Sequence, residues 1–135
     1  MPRDYEVVLL GAGRVMHDIN DAGVCIGDGT GADGSTRAVT ASGGRFAELG
    51  TLGGSASSAR GINDAGVIVG GALTADDRDH HGFVFAQGVM RDLNALVDRR
   101  LGWEIIHALG INNRGEIVAI ACRDGVDHVV VLRPR

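Results

Sequence analysis

Long apolar runs are missing from this chain. No stretch approaches the roughly 18 residues that a membrane-spanning helix needs, so the sequence reads as soluble. Aromatic residues make up only 4%, which leaves few large side chains for a core. There are two cysteines, Cys25 and Cys122. Both lie in apolar strand-like runs, where buried free thiols are common, so no disulfide is expected. Basic charge is not in surplus: the net charge is −4, which gives no electrostatic footprint for nucleic acid. A partner protein with a basic surface fits that balance better. No stretch pairs a nucleophile with a base in a recognised catalytic pattern. The chain therefore reads as a non-enzyme, with no cofactor implied. The opening residues Met1-Pro2-Arg3-Asp4-Tyr5-Glu6 run straight into strand-like Val7-Val8-Leu9-Leu10, without the apolar region and small-residue cleavage site of an export signal. A cytoplasmic location is the expectation.

Glycine is in excess, at 22 of 135 residues where about 7% is usual, and this implies many tight turns. The length fits a single domain spanning residues 1–135. One phrase occurs three times, as Ile19-Asn20-Asp21-Ala22-Gly23, Ile62-Asn63-Asp64-Ala65-Gly66 and Ile111-Asn112-Asn113-Arg114-Gly115, at spacings of 43 and then 49 residues. Recurrence at such a period marks stacked supersecondary units. Asn, Asp and Gly tolerate the left-handed backbone of hairpin turns, so each copy reads as a turn between two strands.

In the middle copy, strands are expected at Ser57–Ile62, Gly66–Gly70, His81–Phe85 and Val89–Leu93. The first copy follows the same order. The third ends after its third strand, and Tyr5–Gly11 resembles the fourth-strand segments, with Leu10-Gly11 standing where the first copy has Leu49-Gly50. The expected fold is all-β: three four-stranded antiparallel units at about 11–54, 55–97 and 98–135, the last completed by residues 1–10. A turn of helix is conceivable only over Asp92–Arg100. Second strands such as Val67-Ile68-Val69 are apolar at successive positions, so both their faces should be covered. Glu116, where the other copies have Val24 and Val67, is expected at a solvent-facing edge.

The run Leu49-Gly50-Thr51-Leu52-Gly53-Gly54, then Ser57-Ser58-Ala59, then Gly61–Gly70 resembles the repeat of the bacterial HAF family, often labelled a probable extracellular repeat. Leu93-Asn94, Gly102-Trp103 and Ala108–Asn112 resemble that family's closing repeat. The resemblance implies a β-propeller-like array and no catalytic residues. Three units are too few for a propeller ring, which usually has four or more blades. A homodimer forming a six-bladed ring is the leading assembly, with a single-chain β-trefoil or β-prism as the alternatives.

The favoured function is a non-catalytic protein-binding module, in the manner of an inhibitor or immunity-type protein. Its expected surface is Asp76, Asp77, Asp79, Asp92 and Asp98 around the aromatic anchor Trp103. A lectin-like module using Asn20, Asn63 and Asn112 is the alternative, although an Asx turn needs the same residues. A metal-dependent hydrolase centred on His80 and His81 is the third reading, set against an ordinary solvated loop at Asp76–His81. Asp28–Gly34 lacks the twelfth-position glutamate of a calcium loop and reads as a turn. Leu52–Ser57 reads as a linker between units.

Overall fold

Each Ile-Asn phrase closes the same turn in the computed structural model, which describes residues 4–135. Gly23, Gly66 and Gly115 sit at φ of 81°, 84° and 79°, where a Cβ would be strained. The preceding asparagine holds each corner: the backbone N–H groups of Val24, Val67 and Glu116 donate to Oδ1 of Asn20, Asn63 and Asn112 at 2.9–3.0 Å. The expected Asx turn is therefore present three times.

The described residues form eleven strands in three antiparallel sheets. The first sheet is β1 (Val15–Ile19), β2 (Cys25–Thr30), β3 (Thr36–Ser42) and β4 (Arg45–Gly50). The second is β5 (Gly53–Ile62), β6 (Ile68–Thr74), β7 (His80–Ala86) and β8 (Val89–Asp92). The third has three strands, β9 (Glu104–Ile111), β10 (Ile117–Arg123) and β11 (Val126–Leu132). Short 3₁₀ turns at Leu93–Ala95 and Arg99–Leu101 occupy the region where a helical turn was conceivable. Among the described residues, no helix is long and apolar enough to cross a membrane.

The sheets stack in chain order and bury two apolar layers. Ile26, Ala38, Ala59, Ile62, Ile68 and Phe83 fill the layer between the first and second sheets. Val69, Ile105, Ala108, Ile117, Ala119 and Ala121 fill the next. Consecutive residues Ile68 and Val69 thus enter different layers, so β6 is covered on both faces as its apolar run predicts. Alanines alternate with larger aliphatic side chains in both layers, and Phe83 is the largest of the fully buried residues. Cys25 is buried, Cys122 is half-buried, and both are free thiols.

Three expectations change, and the single-chain alternatives fall away. Tyr5–Leu10 forms no strand and does not complete the third sheet. Extensive packing runs from the first sheet to the second and from the second to the third, with none between first and third, so the edge it was to fill lies at the far end of the stack. Residues 1–3, the start of the segment expected to complete the third unit, lie outside the described residues. No closed barrel or ring forms within the described chain. Gly53–Ser57 is not a linker but the start of β5, where Gly54 passes so close to Leu73 and Thr74 that a Cβ would lie 2.5 Å from the Thr74 carbonyl oxygen. Glu116 is not free at an edge. Asn112, Arg133 and Arg114 all bond its carboxylate and hold its pKa down at about 2.

Candidate functional site

The six residues expected to form one acidic surface fall into separate places. Asp76 and Asp77 lie on the turn between β6 and β7, at φ of 67° and 54°. Asp77 is engaged internally, accepting from the backbone N–H and Oγ of Ser55 at 2.7 and 2.8 Å. Asp76 and Asp79 are exposed. Asp92 caps the 3₁₀ turn at Leu93, accepting from Asn94 N–H at 2.8 Å. Asp98 caps the next turn and pairs with Arg100. Trp103 is half-buried, with the Arg123 guanidinium 4.0 Å above its ring and the His128 ring edge-on at 5.2 Å. Asp28, read in sequence as part of a turn, belongs to β2, where it meets His17 and Ser58.

Two centres emerge. The first is a groove of about 680 Å³ between the second and third sheets, floored by Trp103, Val97, Val84, Val130 and Leu132. Its rim carries Asp98, Arg133 and Arg135. It runs along β11, whose outer edge has no strand partner among the described residues. In the other two sheets the matching strands β3 and β7 are each covered by a fourth strand. The groove is apolar because Val84, Val97, Trp103, Val130 and Leu132 all pack on the buried layer beneath.

The second centre gathers imidazole and carboxylate. Asp79, His81 and Glu104 each offer a ligand atom within 4.8 Å of the others. β7 supplies the histidine and β9 the glutamate. His81 bonds Asp92 through Nδ1 at 2.7 Å and Glu104 through Nε2 at 3.3 Å. Burial works against the charged imidazole, but the bonds and charges of Asp92 and then Glu104 outweigh it and raise the His81 pKa. Asp92 is lowered in turn: His81 and Asn94 outweigh its own burial. Nearby, His80 and His107 meet edge to face at 5.1 Å over Gly71, where a Cβ would collide with both rings. His107 Nδ1 is buried without a partner among the described residues. Its burial, with the charges of His80 and Arg60, pushes the pKa down to about 4.

Sequence reasoning missed Glu104 and His107, since no local motif marks them, but it did leave the third unit without a fourth strand of its own, as the β11 edge shows. It saw half of what the recurring asparagines do. Besides closing its own turn, Asn20 donates from Nδ2 to the Asn63 carbonyl, and Asn63 does the same to Asn112, each at 3.0 Å. Beside them, Asp21 N–H donates to Asp64 Oδ1 and Asp64 N–H to Asn113 Oδ1. These bonds form a ladder from unit to unit, and they leave Asn20 and Asn63 no side-chain atom without a protein partner. No protein-family model, curated protein or solved structure matches this chain.

Proposed function

We propose that the chain is a non-catalytic, propeller-like repeat module that binds protein by accepting an added β-strand at β11. The observation that carries this is the unpaired β11 edge beside an apolar groove, at a position covered by β4 and β8 in the other sheets. In strand addition the open main chain supplies affinity, while pockets for alternate side chains supply specificity. The groove offers such a pocket, with an aromatic floor of the kind that dominates binding energy. An inhibitor or immunity-type role toward a basic partner would run through Asp76 and Asp79, members of the expected acidic set that are exposed and whose carboxylates bond to no other side chain or backbone group among the described residues. The likeness to HAF-type repeats supports the blade-like reading of the units.

Displayed heptapeptides selected on the immobilised chain should converge on alternating apolar residues. A Trp103→Ala chain should bind them at least about tenfold more weakly, the loss of one aromatic anchor. Selection with no alternating pattern, or equal affinity for the Trp103→Ala chain, would count against the reading.

A divalent-metal site is the second reading, favoured by Asp79, His81 and Glu104 together with the Asp92 bond that orients His81. A carboxylate behind a ligating histidine fixes its tautomer and raises its basicity, and removing one lowers metal affinity about 10- to 100-fold. A hydrolytic activity would need such a metal. Calorimetric titration with Zn²⁺ near pH 7.5 should show saturable binding that weakens at least tenfold in Asp92→Asn. It should also weaken as pH falls, because protons compete for an imidazole whose pKa is raised. Heat of dilution alone would remove this reading.

A further inference from the structure

We propose that the strand taken up at β11 is Tyr5–Gly11 of a second copy of this chain, so that two chains close a six-bladed ring. This rests on the strand-accepting reading of β11 and names its occupant.

The first two sheets define what a completed unit looks like. The pairing of β3 with β4 matches Val39 to Glu48, Thr40 to Ala47 and Ala41 to Phe46. The pairing of β7 with β8 matches Phe83 to Asp92, Val84 to Arg91 and Phe85 to Met90. Both are the same register once the repeats are aligned. Applied to β11, with Leu10-Gly11 in the place of Leu49-Gly50, it sets Leu9 against Val130, Val8 against Val131 and Val7 against Leu132. Val7 then takes the place of Met90, which packs on the layer between its own sheet and the preceding one, and points at the Trp103 groove between the second and third sheets. Continued outward, the register sets Glu6 beside Arg133 and Asp4 beside Arg135, two opposite-charge pairs. The segment is available, since Val7 is 94% exposed.

The outer face of the third sheet carries the same message. Position by position, Val118 matches Ile26 and Val69, both 0% exposed because the next unit covers them, yet Val118 is 37% exposed. Val129 matches fully buried Ala38 and is 74% exposed. At the other end of the stack, Ile19 matches Ile62, which is 5% exposed, and is itself 60% exposed. These are the two halves of the contact that each unit makes with the next. The asparagine ladder has the same open ends. Asn112 Nδ2 turns to Glu116 at 2.8 Å, where a following unit would offer the Asn20 carbonyl. Asn113 N–H would meet Asp21, as Asp64 N–H meets Asn113.

A head-to-tail contact of this kind closes a ring or propagates a fibre. Propellers usually have four to eight blades, and six is the only multiple of three in that range.

Sedimentation at about 50 μM should give twice the chain mass of 14.0 kDa. Val7→Asp, at a residue exposed in the single chain, should weaken association at least about 100-fold by placing a carboxylate against the apolar groove. A chain carrying Val8→Cys and Val131→Cys, with Cys122→Ser to remove the half-buried thiol, should oxidise to a covalent dimer. A monomer, an intrachain bridge, a polymer longer than two chains, or a dimer indifferent to Val7→Asp would each overturn the proposal. A monomeric chain whose selected peptides still depend on Trp103 would overturn only the second copy as occupant, leaving strand acceptance intact. Loss of both results would end both readings.

Discussion

Gly70→Ala is expected to lower the unfolding free energy by about 3 kcal/mol or more, at or beyond the upper end of overpacking effects. The strain comes from backbone. A Cβ at Gly70 would lie 2.0 Å from the Ser58 carbonyl oxygen and 3.0 Å from Ala59 Cα, so β5 and β6 must separate before the methyl fits. Gly27 meets the same obstacle, with the Val15 carbonyl oxygen 2.0 Å away. In both sheets the first strand has a bulge at this point, between Met16 and Asp18 and between Ala59 and Gly61. The third sheet provides an internal control. There the matching residue is Ala119, fully buried, and a second irregularity lies just beyond it at Ile120–Ala121. Ala119→Gly should therefore cost only about 0.5–1 kcal/mol, the ordinary entropic penalty of glycine in a strand. Urea unfolding of the two variants would measure the asymmetry. A Gly70→Ala chain within 1 kcal/mol of the parent would show that the bulged pairing yields easily.

These close approaches explain where the sequence was legible. The three Ile-Asn corners were readable because an Asx turn uses a side chain and a backbone N–H only four residues apart, so the pattern is local. Alternate burial of Ile68 and Val69 was readable from an unbroken apolar run. Gly53 and Gly54 were not, because glycine required by a crowded strand and glycine tolerated in a linker look alike in one dimension. The binding surface was mostly illegible for a different reason. Asp77, Asp92 and Asp98 look like free charge in sequence, but each meets a nearby N–H donor and becomes a cap or brace. Glu104 and His107 reach His81 and His80 only through the packing of β9 on β7, a non-local contact with no sequence signature. Tyr5–Gly11 has the pattern of a fourth strand but pairs with no sheet in the single chain, because pattern specifies a strand's composition and not its partner.

Asn63→Ala should destabilise the fold by about 2–4 kcal/mol, the second large effect. Asn63 is buried and serves two units at once. Oδ1 accepts from Val67 N–H at 2.9 Å to close its own turn, and Nδ2 donates to the Asn112 carbonyl at 3.0 Å. Truncation removes both bonds: Val67 N–H loses its side-chain acceptor, worth about 1–3 kcal/mol when desolvated, and the Asn112 carbonyl keeps only the Gly115 N–H, a further loss of about 1 kcal/mol. The matching change at Asn20 should cost less, since it is half-buried and water can reach the groups released. Asn112→Ala should cost under about 1 kcal/mol in a dissociated chain, because Asn112 is exposed and its Nδ2 meets only the side chain of Glu116. Urea midpoints at dilutions where the chain is a single copy should therefore fall in the order Asn112, Asn20, Asn63, with Asn63 lowest. Equal losses at all three would mean that each asparagine acts only within its own turn and that the bond to the next unit adds nothing. A graded loss ties stability to the number of neighbours a unit has, the behaviour of a stack whose energy resides at the contacts between repeats.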